Sequence, residues 1–274
     1  MPLLNPRSYL FVPGSRPDRF PKACAAGADA VVIDLEDSVA PADKAASRVA
    51  IEAWLTPAQP VFVRVNVATS EWFREDLTLG GKPGIAGVLL PKAERIEDIR
   101  MVAGHFGSAV PILLQIETAR GFSIAREMAG AKGVQRLLFG SIDFQLDLGM
   151  TAQEDELLFF RSRIVLVSRL AGIQSPVDGV TTDINSPERV RTDTLRAKRL
   201  GFGGKMCIHP KQVPVVNECF APTAEEEAWA KRVVEASAAV HGGATSVDGQ
   251  MVDRPVLARA EKILEIVAQL KASQ

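Results

Sequence analysis

Short apolar runs alternate with stretches of helical period along most of the chain. Eight runs read as strands: 8–12, 30–35, 60–65, 87–90, 112–118, 137–143, 176–180 and 203–208. Their length and their lack of a polar face fit strands covered on both sides, as in a parallel sheet. Between them the spacing predicts helices. These cover 17–26 with Gly27 as the stop, a segment capped by Asp43, 71–79, 95–106, 119–129 and 154–171. The 154–171 helix would bury Leu157, Phe160, Ile164, Val167 and Leu170. Ser186-Pro187-Glu188 opens another helix, with a cap followed by proline in the first turn. Residues 144–150 read as a loop or single turn. Two helices close the chain, 224–240 and 255–270, joined by a flexible link at 242–246.

Eight strands alternating with helices predict a (β/α)8 TIM barrel over residues 1–220, with a C-terminal helical extension or lid over 221–274. A doubly wound open sheet is the competing architecture. No glycine-rich dinucleotide fingerprint follows the first strand, which favours the barrel.

Composition narrows the function classes. The net charge of −1 gives no reason to expect nucleic acid or an anionic membrane as partner. Three cysteines, Cys24, Cys207 and Cys219, are an odd number without metal-ligand spacing and suit a reducing compartment. No signal peptide and no membrane-spanning run is evident, so a cytoplasmic location is expected.

In a barrel of this kind the strand ends meet at one mouth, where ligands bind. The ends supply Asp34, Glu36 and Asp37, then Arg64, Lys92, Glu117, Asp143 and His209. Charges at buried strand ends are costly unless they are paired or bound to a ligand. Glu117 and Asp143, on neighbouring strands, form a candidate Mg²⁺ pair, because this cation accepts one or two carboxylates and fills its other positions with water and substrate. Arg64 suits a substrate carboxylate, since its planar fork takes both oxygens at once. Its alternative is a salt bridge to Glu36 or Asp37, and the two roles are compatible. Asp34, Asp37 and Lys92 serve equally as ion pairs closing the barrel or as substrate contacts. Glu36 joins Arg64 among the candidate catalytic groups. His209 reads as a structural hydrogen-bonding residue and Cys207 as a buried strand residue. A metal beside an arginine suggests a keto acid or dicarboxylate and cleavage of a carbon–carbon bond. Phosphoryl transfer on the same acids lacks a P-loop sequence.

Specific strings then carry a resemblance. Arg7-Ser8-Tyr9-Leu10-Phe11-Val12-Pro13-Gly14, Asp34-Leu35-Glu36-Asp37-Ser38-Val39, Val63-Arg64-Val65-Asn66 and Leu90-Pro91-Lys92 come in order. Ile116-Glu117-Thr118-Ala119-Arg120-Gly121, Gly140-Ser141-Ile142-Asp143, Cys207-Ile208-His209-Pro210-Lys211-Gln212 and Gly249-Gln250-Met251-Val252-Asp253-Arg254-Pro255 follow. The ordered set resembles the citrate lyase β-subunit family, within the Mg²⁺-dependent CoA-ester lyases and aldolases that include malyl-CoA lyases. The resemblance implies a barrel holding Mg²⁺ through Glu117 and Asp143, with Arg64 on the carboxylate of an oxaloacetate-, pyruvate- or glyoxylate-like product. It implies a CoA or acyl-carrier thioester and a homotrimer or homohexamer, with lyase α and acyl-carrier subunits as further partners. It implies that Asp253 reaches a neighbouring subunit's site as acid or base; the same residue can simply cap the helix at Pro255. Arg16, Arg19 and Lys22 are candidates for the CoA phosphates, or a solvated helix face. Ser141 departs from the family pattern, where relatives carry another acidic or polar residue. The expected function is cleavage of a 3-hydroxy-3-carboxyacyl thioester of citryl-, malyl- or citramalyl-CoA type to an acyl thioester and a 2-keto acid. The alternatives are a 2-keto-3-deoxy sugar acid aldolase without CoA and a non-catalytic CoA- or keto-acid-binding subunit.

Overall fold

The computed structural model describes residues 5–151, 155–239 and 245–272. Its eight core strands are β1 (Ser8–Pro13), β2 (Ala30–Asp34), β3 (Val61–Arg64), β4 (Ile85–Leu90), β5 (Ile112–Ile116), β6 (Val134–Phe139), β7 (Val177–Asp178) and β8 (Gly204–Cys207). Each pairs in parallel with the next, and β8 pairs with β1, so the sheet closes into the (β/α)8 barrel. The strands read as continuous apolar runs because both faces are covered: every residue of β2 and of β5 is buried.

Alternate residues point inward. Tyr9, Val32, Leu89, Leu113, Leu138, Val177 and Met206 form one buried cluster, with Phe11 and Phe62 packed against it. Phe62 meets Tyr9 edge-on, with ring centroids 5.6 Å apart. Gly87 makes room for this ring, which a Cβ at that position would strike. Two residues further along, the same inward register turns polar: Asp34 follows Val32, Arg64 follows Phe62, and Gln115 and Glu117 follow Leu113. The apolar interior therefore carries a polar cap at the carboxyl ends of its strands.

At the opposite end Arg136 closes the barrel floor. Its side chain is fully buried and donates to the carbonyls of Ser175 (2.6 Å) and Pro6 (2.7 Å) and to the Tyr9 hydroxyl (3.1 Å). The close approach of Gly203 and Gly204 leaves space for its Nη2. Arg136→Leu strands these buried acceptors, at about 1–3 kcal/mol for each unsatisfied group. The urea midpoint is expected to fall clearly; an unchanged midpoint would refute this role.

Several local expectations change. Residues 141–148 are a helix, Ser141–Leu148, where the pattern suggested a strand end and a loop. Its apolar Ile142 and Leu146 face outward, so it lacks the buried stripe that marks an amphipathic helix. The 119–129 helix breaks at Ile124 into Ala119–Ser123 and Ala125–Ala129. Asp43 ends a 3-10 turn and makes no side-chain cap. Ser186 does cap its helix, accepting from the Arg189 amide at 3.2 Å. In the helix Leu158–Leu170, Leu157 precedes the first turn and is buried, as are Ile164 and Val167, but Leu170 is exposed. Glu154, expected at its start, lies outside the described residues. A further helix, Val213–Phe220, was not read from the pattern.

The chain divides into two compact units, Asn5–Asn217 and a second beginning at Glu218. The second packs helices Ala224–Ala239 and Arg254–Ala272 with a hairpin of β9 (Thr245–Val247) and β10 (Gln250–Val252) around Ala230, Val233, Val247, Val252 and Ala260. This hairpin occupies part of the expected flexible link; residues 242–244 of that link lie outside the described residues. Among the described residues no helix is long and apolar enough to cross a membrane.

Candidate active site at the barrel mouth

Asp34 and Arg64 end neighbouring strands and face each other directly in register. Asp34 accepts from Arg64 Nε (2.6 Å) and Nη2 (2.7 Å), a two-pronged contact that also fixes the guanidinium plane. The amides of Glu36 and Ser38 donate to the same carboxylate. Burial works against the Asp34 charge, but the Arg64 charge and hydrogen bonds outweigh it and hold the carboxyl below its usual range. Arg64 Nη1 lies 2.9 Å from Glu36 Oε2 and 4.0 Å from Asp37. Asp34 takes two of the five guanidinium donors as hydrogen bonds, and Glu36 Oε2 stands at ion-pair distance without one.

Glu36 bridges two cations, because its Oε1 lies 2.8 Å from Lys92 Nζ. This carboxylate is a strut between Arg64 and Lys92, and burial nonetheless holds its carboxyl above the usual range, against the pull of both cations. Lys44 anchors the turn behind it. Its buried ammonium donates to the carbonyls of Leu35 and Glu36, both at 2.7 Å, and stands 5.2 Å from the Trp72 ring centre. Asp37 is the accessible acid of this group, 56% exposed, with Lys92 Nζ at 3.8 Å.

Lys92 sits at φ +43°, a left-handed conformation that costs a residue with a Cβ about 1–2 kcal/mol. Strain of this kind gathers at functional sites. The bend aims the Lys92 amide at Glu117 Oε1 (2.8 Å), while its ammonium lies 3.4 Å from Asp143 Oδ1. Gln115 donates to the other oxygen of Glu117. Gly140 makes this possible, because a Cβ there would collide with Glu117.

Glu117 is almost wholly buried, and burial pushes its carboxyl up to about 8. Lys92 and Arg64 pull the other way, whereas Glu36 and Asp143 add to the rise. Asp143 is on the first turn of the helix Ser141–Leu148, not on a strand end, and its side chain is 34% exposed. Phe11, Asp34, Arg64, Gln115, Ser141 and Asp143 are among the residues around a cavity of about 340 Å³.

A second cavity, of about 610 Å³, lies on the other side of Phe11, Val12, Pro13 and Ile208, which line both. Arg19, Lys22 and Lys211 face it. Arg16 does not: its fork grips Asp18 at 2.9 and 2.8 Å on the surface. His209 caps the turn Pro210–Gln212, its Nδ1 accepting from the Lys211 amide, which fits the structural role read from sequence. Asp253, in the second unit, accepts from the Val256 amide at 3.2 Å and caps the last helix. Cys207 is buried, and burial raises its thiol to about 12, so it carries no chemistry.

Sequence reasoning missed Gln115 and Lys44. Gln115 lies two residues before Glu117, hence on the same face of its strand, and that spacing was the available signal. Nothing local marks Lys44.

A model of the HpcH/HpaI aldolase/citrate lyase family matches residues 7–210. The chain belongs to this family. A citrate lyase subunit beta-like protein of Deinococcus radiodurans is 41% identical, covering 94% of this chain and 96% of that one. A (3S)-malyl-CoA thioesterase of Cereibacter sphaeroides is 32% identical, covering 97% of each. CitE of Mycobacterium tuberculosis, solved with magnesium, acetoacetate and coenzyme A, is 36% identical, with a TM-score of 0.85 and coverage of 97% of this chain and 99% of that one. A citrate lyase beta subunit from the same organism, solved with oxaloacetate and magnesium, is 32% identical, with a TM-score of 0.72 and coverage of 80% and 98%.

Proposed function

We propose that the chain is a Mg²⁺-dependent carbon–carbon lyase acting on 3-hydroxy-3-carboxyacyl thioesters of CoA. The observation that carries this is the buried Glu117 carboxyl, joined through Lys92 to Asp143 and subject to the charges of Asp143 and Arg64, which line the cavity. Its raised pKa marks a place short of positive charge, and hard carboxylate oxygens are the donors that Mg²⁺ prefers. Among the described residues no three His, Cys, Asp or Glu side chains group as a metal cage. Two carboxylates completed by water and substrate suit Mg²⁺ better than zinc. Glu117 and Asp143 would hold the ion, which when bound supplies Lewis-acid stabilisation of charge on the substrate oxygens.

The chain's own groups do the rest. The Arg64 donors that Asp34 leaves open take the substrate carboxylate, and Asp34 and Glu36 fix the guanidinium for it. Asp37, exposed above the cavity and held only by long ion pairs, accepts the hydroxyl proton. The carbon–carbon bond breaks, its electron pair passes into the enolate of the acyl thioester, and the hydroxyl carbon becomes the keto-acid carbonyl. Asp253 of a neighbouring copy returns a proton to the enolate carbon. The second cavity takes the phosphates of CoA on Arg19, Lys22 and Lys211, leaving the thioester to cross the shared apolar wall. Support for CoA and the metal comes from the M. tuberculosis relative, which holds both. A citryl-, malyl- and citramalyl-CoA panel with Mg²⁺, read for keto acid and acyl-CoA together, tests the reading. No cleavage of any member would reject it.

A thermal measurement checks the metal pair separately. Glu117 ionises near 4.5 when exposed and near 8 in the fold, so its contribution to stability is present below pH 4.5 and lost as pH rises towards 8. Mg²⁺ offsets the buried charge that appears there. Saturating Mg²⁺ is expected to raise Tm by several degrees more at pH 8.5 than at pH 6. Equal shifts at both pH values would show that the ion binds elsewhere.

A further inference from the structure

Strand β7 is only two residues long, yet the chain stays buried beyond it, at Gly179 and Thr181. The ladder between β7 and β8 ends with Asp178 opposite Lys205, so the carbonyl of the buried Gly179 needs another partner. Lys205 supplies it. Its side chain is buried, and its ammonium donates to that carbonyl at 2.6 Å. Met206, the next residue, points into the barrel, so Lys205 faces the outer layer. There Arg161 holds the Asp178 carboxylate at 3.0 Å. A buried ammonium is costly, and the chemistry proposed above uses neither Lys205 nor Arg161.

Gly179 in turn touches the helix that carries Asp143. A Cβ at Gly179 would collide with the Ser141 hydroxyl and stand 3.0 Å from the Phe139 carbonyl. Ser141 opens the helix Ser141–Leu148, and Asp143 is on its first turn. On the other side of the same turn a Cβ at Gly140 would strike Glu117. The turn Gly140–Ser141 is therefore held between Glu117 and Gly179, with no slack on either side.

We infer that Lys205 is a positioning residue for the metal site: by gripping the Gly179 carbonyl it holds Gly179 against Ser141 and so fixes where Asp143 stands relative to Glu117. The inference rests on the reading above that Glu117 and Asp143 hold Mg²⁺. This ion tolerates little departure from octahedral geometry, so two ligands on different elements must be kept at a set separation. Glu117 is fixed locally, with the Lys92 amide on one oxygen and Gln115 on the other. Asp143 is part exposed, and its ion pair to Lys92 is long, at 3.4 Å. Its place therefore depends on how the start of its helix is seated, and Gly179 is the surface that seats it.

Calorimetric titration of the metal-free protein with Mg²⁺ tests this, with thermal denaturation of each variant to establish that it is folded. Lys205→Met is expected to weaken Mg²⁺ binding by about 10–100-fold in protein that remains folded. Should that variant fail to fold, Lys205→Gln, which keeps a donor without the charge, takes its place and is expected to weaken binding in the same direction. Gly179→Ala pushes on Ser141 from the same side and is expected to weaken Mg²⁺ binding as well. Ser141→Gly makes room for the added methyl group. The double variant Gly179→Ala/Ser141→Gly is therefore expected to bind Mg²⁺ within about twofold of Ser141→Gly alone. A Mg²⁺ affinity left unchanged by the folded Lys205 variant or by Gly179→Ala overturns the inference and leaves the metal reading standing. That holds even if Tm falls, since a mere brace lowers stability alone. A loss in Gly179→Ala that Ser141→Gly does not relieve also overturns it, because the push then does not pass through Ser141. Absence of Mg²⁺ binding in the wild type removes the metal reading and the inference with it.

Discussion

Glu117→Gln is expected to abolish Mg²⁺ binding and to lower turnover by about 10²–10³-fold, with the fold and Tm of the metal-free protein unchanged near pH 7. The fold survives because the neutral carboxyl is already the prevailing form in the metal-free site at that pH. Glutamine keeps the same shape, and its carbonyl oxygen can accept from the Lys92 amide as Glu117 Oε1 does. Its amide nitrogen then faces Gln115, whose own Oε1 is buried without a partner; turning the Gln115 amide over supplies the acceptor. At pH 9 the variant should be more stable than the metal-free wild type, because no buried charge has to form. Titration calorimetry with Mg²⁺ and denaturation at the two pH values separate these effects. Full Mg²⁺-dependent activity in the variant would contradict the assignment.

Arg64→Lys is expected to be nearly as damaging, although it keeps the charge. A single ammonium cannot hold both oxygens of Asp34, reach Glu36 and still present donors to a ligand. One of these contacts is lost, and each buried acid left unpaired is costly. Removing one partner of a buried pair typically costs about 3–5 kcal/mol, and Arg64→Met is expected to approach that loss of stability. For the lysine variant the expected result is a rise in KM together with a fall in kcat, by about 10²–10³-fold in kcat/KM. If Arg64 only closed the barrel, stability would fall and the kinetics of the remaining folded protein would not change.

The sequence made the barrel legible because parallel strands covered on both faces leave unbroken apolar runs, and β2 and β5 are buried along their whole length. The same period of two placed Asp34, Arg64 and Glu117 on inward faces. Pairing across strands was not legible: the pattern offered Glu36 or Asp37 as the partner of Arg64, whereas the register of β2 against β3, which no local pattern encodes, sets Asp34 opposite it. The left-handed backbone at Lys92 was hidden for the same reason, since nothing in Pro91-Lys92 announces a positive φ. Asp143 was read one element too early because Ile142 extends the apolar run of β6 past its true end, and the helix there buries little. The hairpin of β9 and β10 did have a signal that went unread. Asp248 and Gly249, at φ +52° and +75°, are the two-residue turn such a sequence favours, but three-residue strands leave too little alternation to notice.

The most direct test of the account is a product balance. The protein is incubated with citramalyl-CoA and Mg²⁺, and pyruvate, acetyl-CoA, free CoA and citramalate are quantified together. Carbon–carbon cleavage gives pyruvate and acetyl-CoA in equal amounts, loss of both on chelation of the metal, and recovery when Mg²⁺ is restored. Release of free CoA and citramalate, without pyruvate, would show hydrolysis of the thioester and contradict carbon–carbon cleavage.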